Sequence, residues 1–148
     1  MSHWQLGKLN LKCALSVLQH AILQVRPDWE NYIKIDIEGK LEIFNTHTKE
    51  KQKGHHIVIP GGKNSTKTEL PFADVGFRQK KDGTWEMEAD LAYMPGCRDL
   101  KGKILREVAF LQQKSLAKNR GFEILQEKDE NGKKTLILRV PVKEEYLI

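Results

Sequence analysis

The stretch DVGFRQKKDGTWEMEAD, residues 74 to 90, admits very few folded arrangements. Apolar residues alternate on both sides of a Lys-Asp-Gly turn: Ala73, Val75 and Phe77 before it, and Trp85, Met87, Ala89, Leu91 and Tyr93 after it. A period of two marks a strand with one buried face. The length of the connection then decides the pairing. A two-residue Asp82-Gly83 turn sets Arg78 opposite Met87 and sends the two apolar sets to opposite sides of the sheet. A three-residue loop, Lys81-Asp82-Gly83, with Gly83 in the left-handed conformation, sets Phe77 opposite Met87 and Val75 opposite Ala89. Only the second arrangement buries both sets against one core, so it is the expected register.

That register also defines the other face. Arg78 stands across from Glu86, Gly76 from Glu88, and Asp74 from Asp90. Opposed like charges are mildly destabilising, while an Arg-Glu pair contributes from a few tenths to ~1 kcal/mol. The expectation is a hairpin with a neutralised tip and a carboxylate cluster at its base. Solvated strand faces often carry such charges. The functional alternative is a site for a metal ion, a basic partner or a neighbouring Lys.

Around this hairpin the chain reads as alternating elements. Leu11, Ala14, Leu15, Leu18, Ala21, Ile22 and Val25 follow helical spacing over residues 11 to 25, and Pro27 forbids continuation. Before that helix, HWQLGKLNL is a short strand candidate; after it, NYIKIDIEGKLEIFN alternates Tyr32, Lys34, Asp36 and Glu38 against Ile33, Ile35 and Ile37. Gly39-Lys40 turns this segment into a second strand, Leu41 to Phe44. Residues 45 to 70 are polar and Lys-rich, with HHIVIP as a short strand inside an elaborated hairpin or mobile loop. A second helix is expected from Leu100 to Asn119, burying Ile104, Leu105, Val108 and Leu111, with Leu116 a further candidate, and ending at Asn119-Arg120-Gly121. The segment from Gly121 closes as a hairpin around Asn131-Gly132. Its register stays open, because Phe122 and Ile124 cannot share a face with Leu125. The fold class is therefore α+β: an antiparallel sheet with two helices packed on one face, in the order β-α-β(3–5)-α-β-β.

At 148 residues the chain matches a single domain, 1–148, with residues 45 to 70 as a polar insertion or loop. Cys13 and Cys97 show no metal-ligand or redox spacing, which points to a reducing, cytoplasmic setting. The first residues lack a leader pattern, and the run ALSVLQHAILQV is too short and polar to span a membrane. The net charge of +5 permits attraction to nucleic acid or acidic proteins without identifying either.

Several short motifs occur in a suggestive order: MSHW at the start, DVGF at Asp74 to Phe77, EMEADL leading to Tyr93, GFEIL at Gly121, and ENGKKTLILRV near the end. In this the chain resembles the hypothetical chloroplast reading frame 35 family of algal plastids and cyanobacteria, with scattered bacterial and phage members. Members of that family have no assigned function, so the resemblance implies a fold without a reaction. It draws attention to Ser2, His3, Asp74, Gly76, Phe77, Ala89, Asp90 and Gly121, and it leaves residues 45 to 70 as a feature of this chain. It also widens the expected setting to a plastid stroma or a host cytosol.

His3, Asp74, Glu88 and Asp90 form the candidate polar site; one imidazole beside two carboxylates would suit a divalent metal if His3, Asp74 and Asp90 converge. His55 and His56, with His47 near, are a weaker ligand set, since adjacent residues in a strand point to opposite faces. GGKNSTKTE lacks phosphate-loop spacing, and Cys97 has no recognisable base. Trp4, Trp29 and Trp85 read as core anchors. No cofactor or resident metal is indicated. The leading expectation is a non-enzymatic adaptor with a protein partner, using the acidic hairpin base and the 45 to 70 loop. The alternatives are a nucleic-acid-binding accessory protein using Lys49, Lys51, Lys53, Lys63 and Lys67, and a metal-dependent hydrolase or nuclease at His3, Asp74 and Asp90.

Overall fold

The computed structural model describes residues 5–44, 49–62, 71, 73–89, 100–131 and 133–139. The 74 to 90 hairpin forms with the three-residue loop. Strands β6 (Val75–Gln79) and β7 (Thr84–Ala89) pair with Phe77 opposite Met87, Arg78 opposite Glu86, and Gly76 opposite Glu88. Gly83 lies at φ +88, its N–H donates to the Lys80 carbonyl at 3.0 Å, and the Lys80 N–H donates to the Thr84 carbonyl at 2.8 Å. Asp82 tightens the tip by accepting from the Thr84 N–H and hydroxyl at 2.9 and 2.6 Å.

The chain divides into two compact units, Met1–Glu107 and Val108–Ile148. In the first, an antiparallel five-stranded sheet has the order β1-β7-β6-β5-β2. Its edge strands are β1 (Gln5–Lys12) and the two-residue β2 (Lys34–Ile35), and β5 (Ile57–Ile59) lies between β6 and β2. A separate ribbon pairs β3 (Leu41–Phe44) with β4 (Lys51–His55). Ile57, Ile59, Val75, Phe77, Trp85, Met87 and Ala89 are buried, as are Leu18, Ala21 and Ile22 of helix α1 (Leu15–Val25). Trp29, in a short 3-10 helix after Pro27, and Trp85 are both core anchors, and the Trp85 indole donates to the Cys13 carbonyl at 3.0 Å.

In the second unit, the antiparallel ribbon β8 (Glu123–Glu130) and β9 (Lys133–Arg139) follows the end of helix α2 (Leu100–Asn119), whose first eight residues belong to the first unit. The helix stops as its sequence requires. Gly121 sits at φ +81, its N–H reaches the Lys118 carbonyl at 3.0 Å, and the Phe122 N–H reaches the Ala117 carbonyl at 2.9 Å. This is the paired closure of a Schellman motif.

The fold is α+β with antiparallel sheets and two α-helices, as expected, but several details differ. Among the described residues six strands, not three to five, separate the helices, because His56 divides residues 51 to 59 into β4 and β5. The Asp36 carboxylate accepts the N–H groups of Glu38 and Lys40 at 3.1 and 2.9 Å, which ends β2 early and leaves Ile37 84% exposed. Helix α1 begins at Leu15 because β1 runs on to Lys12, which pairs with Thr84 beyond an irregular stretch. The β8–β9 register is settled by a bulge: Ile124 faces Leu138 and Gln126 faces Ile137, so Leu125 is the extra residue. Such a bulge lets Ile124 keep one face while Leu125 leaves it. Leu116 is half exposed and does not join the buried stripe. Among the described residues no helix is long and apolar enough to cross a membrane.

Candidate functional site

The charged face of the β6–β7 hairpin is covered at Glu86 and Glu88. Glu86 and Glu88 are 8% and 6% exposed, and His55 is fully buried. The ribbon β3–β4 packs against β5 and β6, and the bend after His55 lays that imidazole over Gly76. His55 Nε2 lies 3.2 Å from Glu88 Oε1, and Nδ1 lies 3.4 Å from the Leu41 carbonyl. Arg78 donates to the same Glu88 oxygen at 2.9 Å, sits 3.5 Å from Glu86, and donates to the Lys53 carbonyl at 3.3 Å. Lys80 completes the chain at 2.9 Å from Glu86. Basic side chains and carboxylates thus alternate from His55 through Glu88, Arg78 and Glu86 to Lys80.

This layer joins the ribbon to the sheet. Charges withdrawn from water are tolerable only when paired and hydrogen-bonded. Every carboxylate in the layer has a cationic partner, so the arrangement satisfies that requirement internally and presents little charge to a ligand. The expected acidic contact surface at the hairpin base is therefore not found at Glu88, which faces a buried interior.

The titration behaviour of the layer is testable. The Lys80 hydrogen bond holds Glu86 below the usual carboxylate range against the opposing effect of burial, with the charges of Lys80 and Arg78 adding to it. Burial holds His56 below its ordinary 6.5; Asp36 opposes this, and His55 and Arg78 reinforce it. The His56 Nδ1 accepts the Gln79 N–H at 3.1 Å, as a neutral ring must. Both groups have folded values below their unfolded ones. Their stability is therefore present above the unfolded values and is lost as pH falls. The urea midpoint is expected to drop in two stages, first below pH 6.5 and again below about 4.5. His56→Gln should flatten the first stage and Glu86→Gln the second; unchanged profiles in both variants would remove the assignment.

The other sequence candidates separate. Asp74 accepts the Gly61 N–H at 2.7 Å and the Phe44 N–H at 2.9 Å, one on each oxygen. It clamps two backbone segments. His3 and Asp90 lie outside the described residues, as do Lys63, Lys67, His47, Trp4 and Cys97. No group of three His, Cys, Asp or Glu side chains among the described residues is placed to share a metal ion. His55 and His56 diverge, one toward Glu88 and the other edge-on to Trp85 at 5.7 Å between centroids. Burial pushes the Cys13 thiol up to about 11, which keeps it protonated and unreactive at neutral pH. Lys49, Lys51 and Lys53 are exposed, with Lys53 3.3 Å from Glu42.

The second unit holds a feature that sequence reasoning missed. Between α2 and the ribbon β8–β9 lies an open groove of about 440 Å³, floored by Leu116, Ala117, Phe122, Leu136 and Leu138. Leu116 and Leu138 remain 50% and 36% exposed. Among the described residues its charged lining side chains are Arg120 and Lys134. The Schellman turn builds one wall by folding Phe122 back beside Ala117. The bulge at Leu125 sets the other, placing Ile124, Leu136 and Leu138 on the ribbon face that carries the Glu127–Lys114 ion pair. The signals were present as an unmatched Leu116 in the helical stripe and an ambiguous register in β8, but neither announces a cavity.

No family model matches this chain, and no curated protein or solved structure matches it.

Proposed function

We infer that the protein is a non-catalytic interaction module that docks a protein partner in the groove of its second unit. The open apolar groove carries this reading. Its volume lies within the range of ligand-holding clefts, and its floor keeps aliphatic surface in water. The polar layer of the first unit supports it from the other side: the buried His55, Glu88 and Glu86 are consumed in joining ribbon to sheet.

The test is affinity capture from host lysate with the native chain and with Leu116→Asp and Leu138→Asp, each split into nuclease-treated and untreated halves. Both leucines are partly exposed, so the substitutions leave the fold standing. The expected result is a stoichiometric protein that survives nuclease and is lost with either substitution. Retention of every partner by both variants would remove the groove. The reading that favours nucleic acid has the exposed Lys49, Lys51 and Lys53 on its side. It predicts instead capture that disappears with nuclease and falls steeply with salt.

A further inference from the structure

We propose that the groove between α2 and the β8–β9 ribbon selects an acidic, leucine-rich amphipathic helix. The inference rests on the interaction-module reading and adds the chemistry of the partner.

Three observations define the occupant. The floor is aliphatic and aromatic, and 440 Å³ is room for a few side chains rather than for an extended surface. An amphipathic helix delivers such a set from one face, at i, i+3 or i+4, and i+7. Among the described residues the charged side chains lining the groove are Arg120 and Lys134, both basic. From Val108 to Arg120 the helical segment carries Lys114, Lys118 and Arg120 and no acid at all.

These cations are not equivalent. Lys114 is paired with Glu127 and lies 5.7 Å from the Phe110 ring, and the Lys134 ammonium sits 5.1 Å over the same ring. Arg120 follows the last helical residue, is exposed, and has no side-chain ion pair among the described residues. Lys118, two residues earlier, is exposed but is not among the residues lining the groove. Arginine beside a hydrophobic pocket is the arrangement that grips a carboxylate flanking an apolar anchor, through a planar fork that can bond both oxygens. The carbonyl end of α2 carries partial negative charge, which holds Arg120 at the groove mouth, so the attraction for a carboxylate comes from the basic side chains and not from the helix end. A basic amphipathic helix would meet repulsion at the same mouth.

The test uses fluorescence anisotropy with the full chain and two labelled probes. Each probe is a peptide of about 15 residues, near the length at which an isolated helix becomes marginal. One carries leucines along a single face flanked by glutamates; its twin has every glutamate replaced by lysine. The acidic probe is expected to bind, the basic twin to bind at least tenfold more weakly, and Leu138→Asp to abolish binding of the acidic probe. Arg120→Glu should weaken the acidic probe by about two- to fivefold, the effect of an exposed charge pair, and improve the basic twin. Equal binding of the two probes, or acidic-probe binding untouched by Leu138→Asp and Arg120→Glu, overturns the proposal. If neither probe binds while lysate capture still depends on Leu116 and Leu138, the partner chemistry fails and the interaction module stands.

Discussion

Gly76→Ala is expected to lower the unfolding free energy by about 3 kcal/mol or more, although alanine is normally the better strand residue. A Cβ built at this position lies 2.4 Å from His55 Cδ2 and 2.8 Å from its Cγ, well inside any real contact. The backbone of Gly76 lies outside the left-handed region, so alanine meets no conformational objection. The cost comes from the ring alone. His55 is fully buried and is not the far end of a flexible chain, so it must move as a unit and give up its approach to Glu88 and to the Leu41 carbonyl. Overpacking a tight site costs ~1–3 kcal/mol, and stranding buried polar groups adds ~1–3 more. Urea unfolding measures the sum. The decisive control is Gly76→Ala in a His55→Ala background. With the ring gone, the added methyl should cost less than about 1 kcal/mol or even stabilise, because glycine loses more chain entropy on folding than alanine. A full cost in that background would mean the ring is not what excludes a side chain from position 76.

The pairing of Phe77 with Met87 was legible because two independent constraints, period-two alternation and the length of the Lys81 to Gly83 connection, agree on one register. The end of α2 was legible for a similar reason, since Gly121 is the residue a left-handed closure asks for. What the sequence could not disclose was the covering of the hairpin's second face. Alternation tells which residues share a side, and it assigns Arg78, Glu86 and Glu88 to one side correctly. It does not tell what lies on that side. Here the cover is His55, thirty-three positions from Glu88, delivered by a bend at His56 that separates the polar strand β4 from the apolar β5. Polar residues opposite a core suggested water, and a second polar layer took its place. The groove of the second unit was hidden by the same logic: Leu116 and Leu138 look like ordinary core residues until their exposure is known. Asp74 shows a role that alternation does not reveal, a conspicuous acid that accepts two backbone N–H groups from distant segments.

Glu88→Ala should destabilise the first unit by about 3 kcal/mol, with Glu88→Gln falling well short of that. Removing one member of a buried ion pair costs ~3–5 kcal/mol because the partner is left charged and unsolvated. The two partners of Glu88 respond differently. The Arg78 side chain is 32% exposed, keeps Glu86 at 3.5 Å, and can turn toward water, which moves the expectation to the lower end of that range. His55 has no such exit, since it is sealed beneath the ribbon and its Nε2 would face an empty space. Glutamine preserves the shape and an acceptor oxygen for Arg78 or His55, so it loses the charge without opening a void. The ordering Ala worse than Gln, read from urea midpoints, therefore separates a buried layer from a solvated strand face, where both changes would cost under about 1 kcal/mol and rank together. Pairing the substitutions goes one step further. If His55→Phe together with Glu88→Met restores much of the loss, the layer's charges are not the source of stability. Buried ion pairs often behave this way, conferring register more than free energy. In this fold the register at stake is how the bend after His55 seats the β3–β4 ribbon on the sheet, which the polar layer fixes by placing His55 and Arg78 on one Glu88 oxygen.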